Sequence, residues 1–329
     1  MITIKDIAAM AKVSRSTVSR ALNNSGYVGE EARKRIEKVI EETGYVPSEH
    51  AKSLRTKKTK VIGVILPTIQ TETSSKTVAG IDEVLSKHGY QILLANTNLD
   101  KVKEIEFLDL LKVRQVDGII LLATNTAPSL IEKIKELHTP IVVIGQEIHG
   151  VTNILYDDYH AARELTSFLI SKGHKHIGFI GVDETDKAVG YLRKKGFTDE
   201  MLANNLQIKK DWIQKGIFDV DSGHDAMEII MNKCETVPSA TFAVTDRLAL
   251  GAMSYLKKAG IKIPHDMAIA SIGASEFAQY VDPPLTTIDY QNEQAGQAAA
   301  RVLLEKLTSD RPINNKILQN YRLLLRDSV

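Results

Sequence analysis

The sequence lacks disulfides, long apolar runs and a secretory signal. Its single cysteine, Cys234, excludes an internal disulfide and a thiolate metal cluster, which fits a reducing cytoplasm. Apolar runs such as VIGVIL are as long as strands and far shorter than the ~20 residues of a membrane helix. The opening MITIKDIAAM has no basic region followed by a long apolar core, so no secretory signal is visible. We therefore expect a cytoplasmic protein with no membrane partner.

Signatures of catalysis are also missing. The chain has no glycine-rich phosphate loop, no Ser, His and Asp order with a nucleophile elbow, and no ligand spacing typical of a metal site. His174 and His176 in SKGHKHIGF could share a metal ion, but a surface turn ahead of a strand is the favoured interpretation. We expect no enzyme activity, no cofactor and no metal.

Charge is divided unevenly along the chain, although the net charge is only +1. Residues 1–60 hold 13 Lys or Arg against 7 Asp or Glu, and the remainder holds 29 against 34. A basic head on a mildly acidic body indicates that only the head meets a polyanion. An exposed charged terminus would give the same count, so charge alone does not decide.

The first 45 residues predict three short helices. Thr3 can cap a helix over IKDIAAMA, with Asp6 placed where a carboxylate suits the N-terminus of a helix, and Ser14 can cap a second helix. The third helix covers EEARKRIEKVIEET and ends at Gly44. A tight turn between the first two helices is typical of a helix-turn-helix domain.

The second helix follows the cap Ser14 and runs through Leu22, within the stretch VSRSTVSRAL (residues 13–22), whose composition is unusual. Hydroxyls are poor residues inside a helix because they compete for backbone hydrogen bonds. Val18, Ala21 and Leu22 nevertheless keep the helical spacing of an inward face. The outward face carries hydroxyls and arginines, which contact phosphates and base edges in a DNA major groove. A solvated surface helix is the alternative for this segment alone.

A short segment after Pro47, SEHAKSLR, can be capped by Ser48. Helices this short are marginal in water, so we expect it to become helical only when something holds it. The following TKKTK, residues 56–60, is the candidate domain boundary.

From Val61 onward, strand-length apolar runs alternate with helical stretches. Continuous apolar strands separated by helices are typical of parallel sheets covered on both faces, and their number predicts two α/β lobes. Ligands in such sheets bind at the carboxyl ends of the strands. The predicted strands are VIGVIL, YQILLA, VDGIILL, PIVVIG, NILY, HIGFIG, ATFAV, AIASIG and LTTI.

Four segments make the sequence resemble the LacI/GalR family of bacterial repressors. TIKDIAAMAKVSRSTVSRALNNSGYV and ETGYVPSEHAKSL resemble the DNA-binding head and hinge, and VTDRLALGAMSYLKKAGIKIPHDMAIASIG and VDPPLTTID resemble the effector-binding core. The resemblance implies an all-α helix-turn-helix head, a hinge helix and a two-lobed α/β body like periplasmic sugar-binding proteins, with parallel sheets. The implied ranges are 1–47 for the head, 48–60 for the hinge and linker, 61–157 with 289–315 for the N-lobe, and 158–288 with 316–329 for the C-lobe. The chain would cross between the lobes near residues 157, 288 and 315.

Two departures from the family pattern are visible. Ser48 stands where the family often has Asn after the proline, and Ser can still cap a helix. The sequence ends at LLLRDSV without leucine heptads, so we expect the family's homodimer and no tetramerisation tail.

The resemblance implies two sets of residues that contact operator DNA. In the head, arginine pairs well with guanine, and hydroxyls suit phosphates. The implied base-reading residues are Arg15, Ser16 and Arg20, and the residues suited to phosphates are Ser14, Thr17 and Ser19. In the hinge, Leu54 would open a central base step in the minor groove, one turn after Ala51. The alternative for Leu54 is packing on the body.

The resemblance also implies an effector site between the lobes. Arg193 in GYLRKKGF matches an arginine that contacts the effector, and Asp246 in VTDRLAL matches an aspartate that accepts hydrogen bonds from sugar hydroxyls. From spacing alone, a structural ion pair would be the better interpretation. Further candidates for the same cleft are Gln70, Gln146, Asp186, Ser275 and Tyr290.

One stretch bears on the kind of effector. YDD followed by GVDETDKAVGYLRKKGF is similar to repressors of trehalose and sucrose operons, some of which respond to phosphorylated disaccharides. A bare sugar could stack on few residues, such as Tyr290 or Phe277, whereas a phosphate would seek Arg193 or backbone amides. The hypothesis is a repressor of a carbohydrate-utilisation operon that a sugar or sugar phosphate releases from DNA, with a disaccharide phosphate of the sucrose or trehalose type as the favoured effector. The alternatives are an exported sugar-binding transport protein and a regulator of this family with a non-sugar effector.

Overall fold

The computed structural model describes residues 2–23, 25–45, 58–233, 235–309 and 315–329. The chain divides into two compact units, residues 1–60 and residues 61–329. Cys234 and the hinge residues Ala51 and Leu54 lie outside the described residues. Within the described part of the chain, every helix is too short or too polar to cross a membrane.

The first unit contains three helices, α1 (Ile4–Met10), α2 (Arg15–Asn23) and α3 (Glu30–Thr43). The three sequence-predicted helices are confirmed. They enclose a small core because each presents one apolar face to the other two. The buried residues of this core are Ile7, Ala8, Ala11, Val18, Ile36 and Val39.

The ends of these helices follow from the residues predicted to cap them. The Thr3 hydroxyl accepts from the N–H of Asp6, and the Asp6 carboxylate accepts from the N–H of Thr3, which is a capping box. Gly44 ends α3 with φ 61°, a left-handed conformation that glycine adopts without strain. Lys12, with φ 53°, makes the tight turn between α1 and α2.

The N-lobe of the second unit is a six-stranded sheet in the order β11-β5-β4-β3-β1-β2, and every pairing in it is parallel. Its strands are β1 (Val61–Leu66), β2 (Gln91–Asn96), β3 (Gly118–Leu122), β4 (Ile141–Ile144), β5 (Thr152–Tyr156) and β11 (Lys316–Gln319). Its helices are α4 (Glu72–Lys87), α5 (Lys101–Val113), α6 (Pro128–Glu136) and α11 (Asn292–Thr308). Separate apolar clusters lie on the two faces of the sheet, as expected for strands buried on both sides.

The C-lobe repeats this arrangement in the order β12-β10-β9-β8-β6-β7, with only β12 antiparallel. Its strands are β6 (Ile177–Gly181), β7 (Ile213–Lys215), β8 (Ala240–Ala243), β9 (Ala268–Ile272), β10 (Thr286–Asp289) and β12 (Arg322–Leu324). Its helices are α7 (Asp158–Ser171), α8 (Arg193–Ala203), α9 (Val220–Lys233) and α10 (Asp246–Lys258). A π-helical turn, Lys187–Leu192, leads into α8, and short 3-10 turns cover Lys210–Trp212 and Glu276–Gln279.

All nine sequence-predicted strands form, as β1–β6 and β8–β10. The strands that the sequence pattern did not predict are β7, β11 and β12. They have three or four residues, are mostly not buried and lie at sheet edges, so they carry no continuous apolar run.

The chain crosses between the lobes three times. The first two crossings follow β5 and β10, close to the expected positions. The third lies later than the expected residue 315, because Lys316–Gln319 pairs with β5 in the N-lobe and β12 pairs with β10 in the C-lobe. The crossing therefore falls at residues 320–321.

Candidate ligand cleft and candidate nucleic-acid interface

Helix α2 presents a polar surface to solvent while Val18 is completely buried against the core of the head. Of the six residues that the sequence predicts to contact DNA, Ser14, Arg15, Ser16 and Arg20 are exposed, and Thr17 and Ser19 are half-buried. The inward positions Ala21 and Leu22 pack beside Val18 on the same core. The outward face is therefore free to meet a ligand without disturbing the fold of the head.

Hydroxyl groups gather at the N-terminus of α2. Ser14 Oγ accepts from the backbone N–H of Thr17 at 3.1 Å, so Ser14 caps the helix as expected. The same oxygen lies 2.7 Å from Ser16 Oγ and 2.8 Å from Thr17 Oγ1. Hydroxyls at the positive end of a helix dipole are suited to phosphate oxygens.

A cavity of about 620 Å³ lies between the N-lobe and the C-lobe. Its wall is built from the segments that follow β1, β3, β4, β5, β6, β8, β9 and β10, because the carboxyl ends of both parallel sheets point to the same cleft. All seven residues that the sequence names for an effector line this one cavity. They are Gln70, Gln146, Asp186, Arg193, Asp246, Ser275 and Tyr290.

Arg193 is the centre of a buried polar network. Its Nε donates to Asp158 Oδ1 at 2.7 Å, and its Nη1 donates to the carbonyl of Val244. The guanidinium carbon lies 5.3 Å from the ring centre of Tyr290, whose hydroxyl donates to the same Asp158 oxygen at 3.0 Å. Burial disfavours the charged guanidinium, but Asp158, Tyr290 and Asp186 together outweigh it and hold the pKa of Arg193 above its ordinary value.

The first two crossings meet at the bottom of the cavity through two tyrosines. The rings of Tyr156 and Tyr290 stack with centres 4.8 Å apart and an interplanar angle of 24°. Burial, and then the negative charge of Asp158, raises the pKa of Tyr290 well above its ordinary value, so its hydroxyl stays protonated and donates. This stack ties the N-lobe strand β5 to the segment that leaves β10.

Asp246 organises the loop after β9. Its Oδ1 accepts from the hydroxyls of Ser271 at 2.6 Å and Thr287 at 2.7 Å, and its Oδ2 accepts from the N–H of Ser275 at 2.5 Å. A Cβ at Gly273 would come within 3.0 Å of the Asp246 carboxyl carbon, and its φ of 156° is rarely adopted by other residues. A ligand hydroxyl would therefore share an oxygen that already accepts hydrogen bonds within the C-lobe.

Gln146 and Asp186 bridge the two lobes deep in the cleft. Gln146 Nε2 donates to Asp186 Oδ1 at 2.7 Å, and the same oxygen accepts from the N–H of Val189 at 2.9 Å. Burial raises the pKa of Asp186 above its ordinary value despite these two donors. A hydrogen-bond donor on a ligand could bond to Asp186, because the two existing donors only partly offset the cost of burying its negative charge.

The rim of the cleft is closed by hydrogen bonds between the segment after β1 and the C-lobe. Gln70 takes part through its main chain, and its side chain is exposed. The three bonds run from Arg247 Nη1 to the carbonyl of Gln70 (3.2 Å), from Lys76 Nζ to the carbonyl of Ala274 (3.2 Å), and from the N–H of Glu276 to Glu72 Oε2 (2.6 Å).

Three residues of this site were not singled out by the sequence. Tyr156 and Asp158 belong to the YDD segment, which marked the region but not the roles of its members, and Asn292 begins α11. A buried arginine at position 193 requires a carboxylate partner, but the sequence did not show which carboxylate supplies it. No sequence signal distinguished Asn292 from a surface residue at a helix start.

The two histidines that the sequence offered as possible metal ligands, His174 and His176, make local contacts in the C-lobe. His174 Nδ1 lies 3.0 Å from Ser239 Oγ, and the ring of His176 lies 5.3 Å from that of Trp212, so both are used in local packing. Among the described residues, the group close enough to share an ion is His224, Asp225 and Glu228 on α9, none of which lines the cavity.

Comparison with known proteins separates the same two units. Residues 3–48 match the family model for bacterial regulatory proteins of the lacI family, and residues 166–329 match a periplasmic binding protein-like domain. The probable HTH-type transcriptional repressor ExuR of Bacillus subtilis (strain 168) is 32% identical over 336 residues, which cover 100% of this chain and 98% of that protein. The HTH-type transcriptional repressor PurR of Actinobacillus pleuropneumoniae serotype 3 (strain JL03) is 32% identical, covering 94% and 93%.

The chain also aligns over nearly its whole length with solved structures of DNA-binding regulators. The transcriptional regulator CelR in complex with cellobiose aligns with a TM-score of 0.75 and 26% identity over 100% of both chains. The lac repressor dimer bound to operator and the anti-inducer ONPF aligns with a TM-score of 0.90, covering 99% of this chain and 98% of that one. At 22% identity, this second likeness concerns the fold.

Proposed function

The chain belongs to the LacI family of bacterial regulatory proteins, and on that basis we propose that it represses a carbohydrate-utilisation operon and leaves its operator when an uncharged sugar binds in the cleft. It is a DNA-binding transcriptional repressor, related to repressors and not to enzymes. The observation that carries the proposal is the meeting of all seven effector candidates in one interlobe cavity. An exported transport protein would share the two-lobed body but would not need a DNA-binding head.

The DNA side of the proposal rests on helix α2. Two heads of a homodimer would each place α2 in the major groove of one half-site, so the operator would be a pseudo-palindrome. Arg15, Ser16 and Arg20 would read bases, and Ser14 with its neighbouring hydroxyls would fix the position on phosphates. Leu54 would open the central step. Such a repressor would work in the cytoplasm, where the operator is.

The charges of the cavity favour an uncharged sugar over a phosphorylated disaccharide. Five carboxylates and two guanidinium groups stand among the described lining residues, namely Glu72, Asp158, Asp186, Asp246, Glu276, Arg193 and Arg247. The charge of Arg193 is already neutralised by Asp158, whose Oδ1 lies 2.7 Å from Arg193 Nε. The remaining charge of the cavity wall is negative, and it would repel the phosphate group of a ligand. A neutral ligand with several hydroxyls meets carboxylates and amides that accept its hydrogen bonds without this repulsion.

One similar solved structure supports a sugar as effector. The solved structure of CelR is a complex with cellobiose, an uncharged disaccharide. CelR aligns with this chain over its full length. The cavity, at about 620 Å³, lies within the usual range for small-molecule sites.

Switching would follow from the position of the cavity between the lobes. A ligand held by Arg193 in the C-lobe and by groups of the N-lobe would change the angle between them. The segment that precedes Val61 starts from the N-lobe, so the separation of the two hinges in a dimer would change, and they would no longer fit one minor groove. A ligand shifts this equilibrium only by its differential affinity for the two states, typically ~1–3 kcal/mol.

The test is fluorescence anisotropy with labelled DNA from the region upstream of the chain's own operon. The wild type should bind this DNA, and one of cellobiose, sucrose or trehalose should lower its affinity, while sucrose 6-phosphate and trehalose 6-phosphate should not. Release by a sugar phosphate alone would overturn the choice of an uncharged effector. Absence of specific binding to any fragment of that region would contradict the choice of operator.

A further inference from the structure

Four buried polar atoms of residues that line the cavity have no hydrogen-bond partner among the described residues. Two of them, Glu72 Oε1 and the hydroxyl of Tyr156, still interact with a neighbouring side chain. The other two are the amide oxygen Oδ1 of Asn292 and the hydroxyl of Ser275. Asn292 is only 4% exposed, so solvent hardly reaches its side chain. Buried polar groups in folded proteins are almost always bonded, and an exception that faces a cavity requires a partner from outside the chain.

The backbone of Asn292 is held in place on both sides. Tyr290, two residues earlier, is fixed through its hydroxyl to Asp158. Asn292 then begins α11, which crosses α4 so closely that a Cβ at Gly80 would overlap the carbonyl oxygen of Glu293. Asn292 therefore cannot leave the cavity wall without separating two helices, and its amide oxygen stays without a hydrogen-bond partner in the described part of the chain.

Ser275 is held in the same way from the other lobe. Its backbone N–H donates to Asp246 Oδ2 at 2.5 Å, and Asp246 is itself fixed by Ser271 and Thr287. The main chain of Ser275 is thus bound, while its hydroxyl remains available. The cavity presents one unbonded group on the loop after β9 and another on the helix that enters the N-lobe.

We propose that Asn292 accepts a hydrogen bond from one hydroxyl of the effector and that Ser275 binds a second hydroxyl of the same molecule. This inference rests on the proposed function and specifies it, because it demands a ligand that offers a hydroxyl donor to Asn292. A ligand without that hydroxyl leaves a buried amide oxygen unbonded, which is how polar sites reject close analogues. Asn292 and Ser275 then act as specificity-determining residues beside Arg193 and Asp246.

The test compares Asn292→Leu with the wild type by isothermal titration with cellobiose, sucrose and trehalose, in the absence of DNA. Leucine has the same number and branching of side-chain heavy atoms and no polar atom, so it removes an unbonded oxygen from the interior. The melting temperature of the ligand-free variant should stay the same or rise, while affinity for the sugar that the wild type binds should fall about 10- to 100-fold. Ser275→Ala should lower the affinity by a smaller factor.

Asn125→Leu is the matched control. Asn125 is 2% exposed, but its amide donates to Glu104 and its oxygen accepts from the N–H of Ala127. This variant should lower the melting temperature and keep the sugar affinity, the opposite of Asn292→Leu. A monodeoxy analogue that lacks the hydroxyl bound by Asn292 should bind the wild type weakly and lose no further affinity with Asn292→Leu.

Wild-type affinity in Asn292→Leu would overturn the proposal, as would a lower melting temperature with unchanged affinity, which marks a purely structural residue. If the wild type binds none of the three sugars, the proposed effector class fails and this inference fails with it. Sugar binding is measured without DNA, so a failure of operator binding leaves the comparison of the variants intact.

Discussion

The head and the cleft meet their ligands in opposite ways. On α2, the side chains proposed to contact DNA are exposed, and the contacts that hold them, such as the cap at Ser14, come from within the same few residues. In the cleft, Arg193 and Asp246 are buried, and their partners come from segments distant in sequence. A surface that meets a polyanion stays hydrated until it binds, whereas buried charges must be compensated inside the protein.

In the head, ligand binding and fold stability depend on different residues, whereas in the cleft they depend on the same residues. A substitution on the outer face of α2 should change DNA affinity and leave the fold intact. A substitution in the network around Arg193 should change both, because the groups that would hold the effector also hold the lobes together. The predictions below test that difference, from the largest effect to the smallest.

The largest effect is expected from Arg193→Met. It leaves the carboxylate of Asp158, which is 2% exposed, without its cation, and breaking a buried pair in this way costs about 3–5 kcal/mol. Operator binding should persist where the variant is folded, and the response to sugar should be lost, giving permanent repression. Urea unfolding and operator titration with sugar measure the two effects.

The double variant Arg193→Met with Asp158→Asn provides the control for this prediction. Removing both charges should restore most of the stability but not the response to sugar. A single variant that still releases operator at the wild-type sugar concentration would show that Arg193 does not hold the effector.

Glu104 in the N-lobe should give the next largest effect. It is 3% exposed and accepts from the amide of Asn125, and burial raises its pKa from 4.5 to about 7. The folded chain therefore holds this proton more tightly than the unfolded chain, so stability is fully present below about pH 4.5 and falls as the pH rises to about 7. The loss from this group is about 3 kcal/mol.

The check on Glu104 is the free energy of unfolding measured between pH 4.5 and 8 for the wild type and Glu104→Gln. Glutamine cannot ionise, so the variant should lack this part of the decline. Identical pH profiles for the two proteins would contradict a buried carboxyl that is protonated near neutrality.

Arg15→Ala tests the head side of the contrast. Arg15 is exposed on α2, so its removal should leave the melting temperature unchanged and weaken operator binding by about 1–3 kcal/mol. The loss should be confined to operators with one particular base pair at a single position, as measured on a set of single-substitution operators. Equal weakening on all sequences would mean that Arg15 contacts phosphate.

The smallest effect is expected from Thr3→Ala. Its hydroxyl and the Asp6 carboxylate form the capping box of α1, and the residues proposed to contact DNA lie on α2 or at its N-terminus. The head should lose about 1 kcal/mol of stability. At temperatures where the head remains folded, operator affinity should not change, and a large loss there would place Thr3 at the DNA instead.

The helices of the head could be predicted because their signals are local. Thr3, Ser14 and Gly44 sit where the caps of α1, α2 and α3 are found, and the spacing of Val18 with its apolar neighbours gave the buried face. Strands β1 and β9 were equally visible, since continuous apolar runs mark strands buried on both faces. The polar edge strands have no such run, and β11 joins its sheet by pairing with β5, a strand far away in the sequence.

The cleft was predictable only in part. The resemblance to the LacI/GalR family supplied Arg193 and Asp246, but the sequence could not show that Asp158 neutralises the arginine or that Asp246 is already bonded by Ser271 and Thr287. Those facts depend on contacts between segments far apart in the chain. They are also what changed the proposed effector from a phosphorylated to an uncharged sugar.

The most direct test of the account is the linkage between the two sites. Operator affinity is measured with and without the sugar that binds the wild type, and sugar affinity is measured with and without operator. The account predicts that sugar weakens operator binding and that operator weakens sugar binding by the same factor, because the two share one coupling free energy. Tighter operator binding in the presence of sugar, or a sugar that binds in the cleft without changing operator affinity, would contradict it.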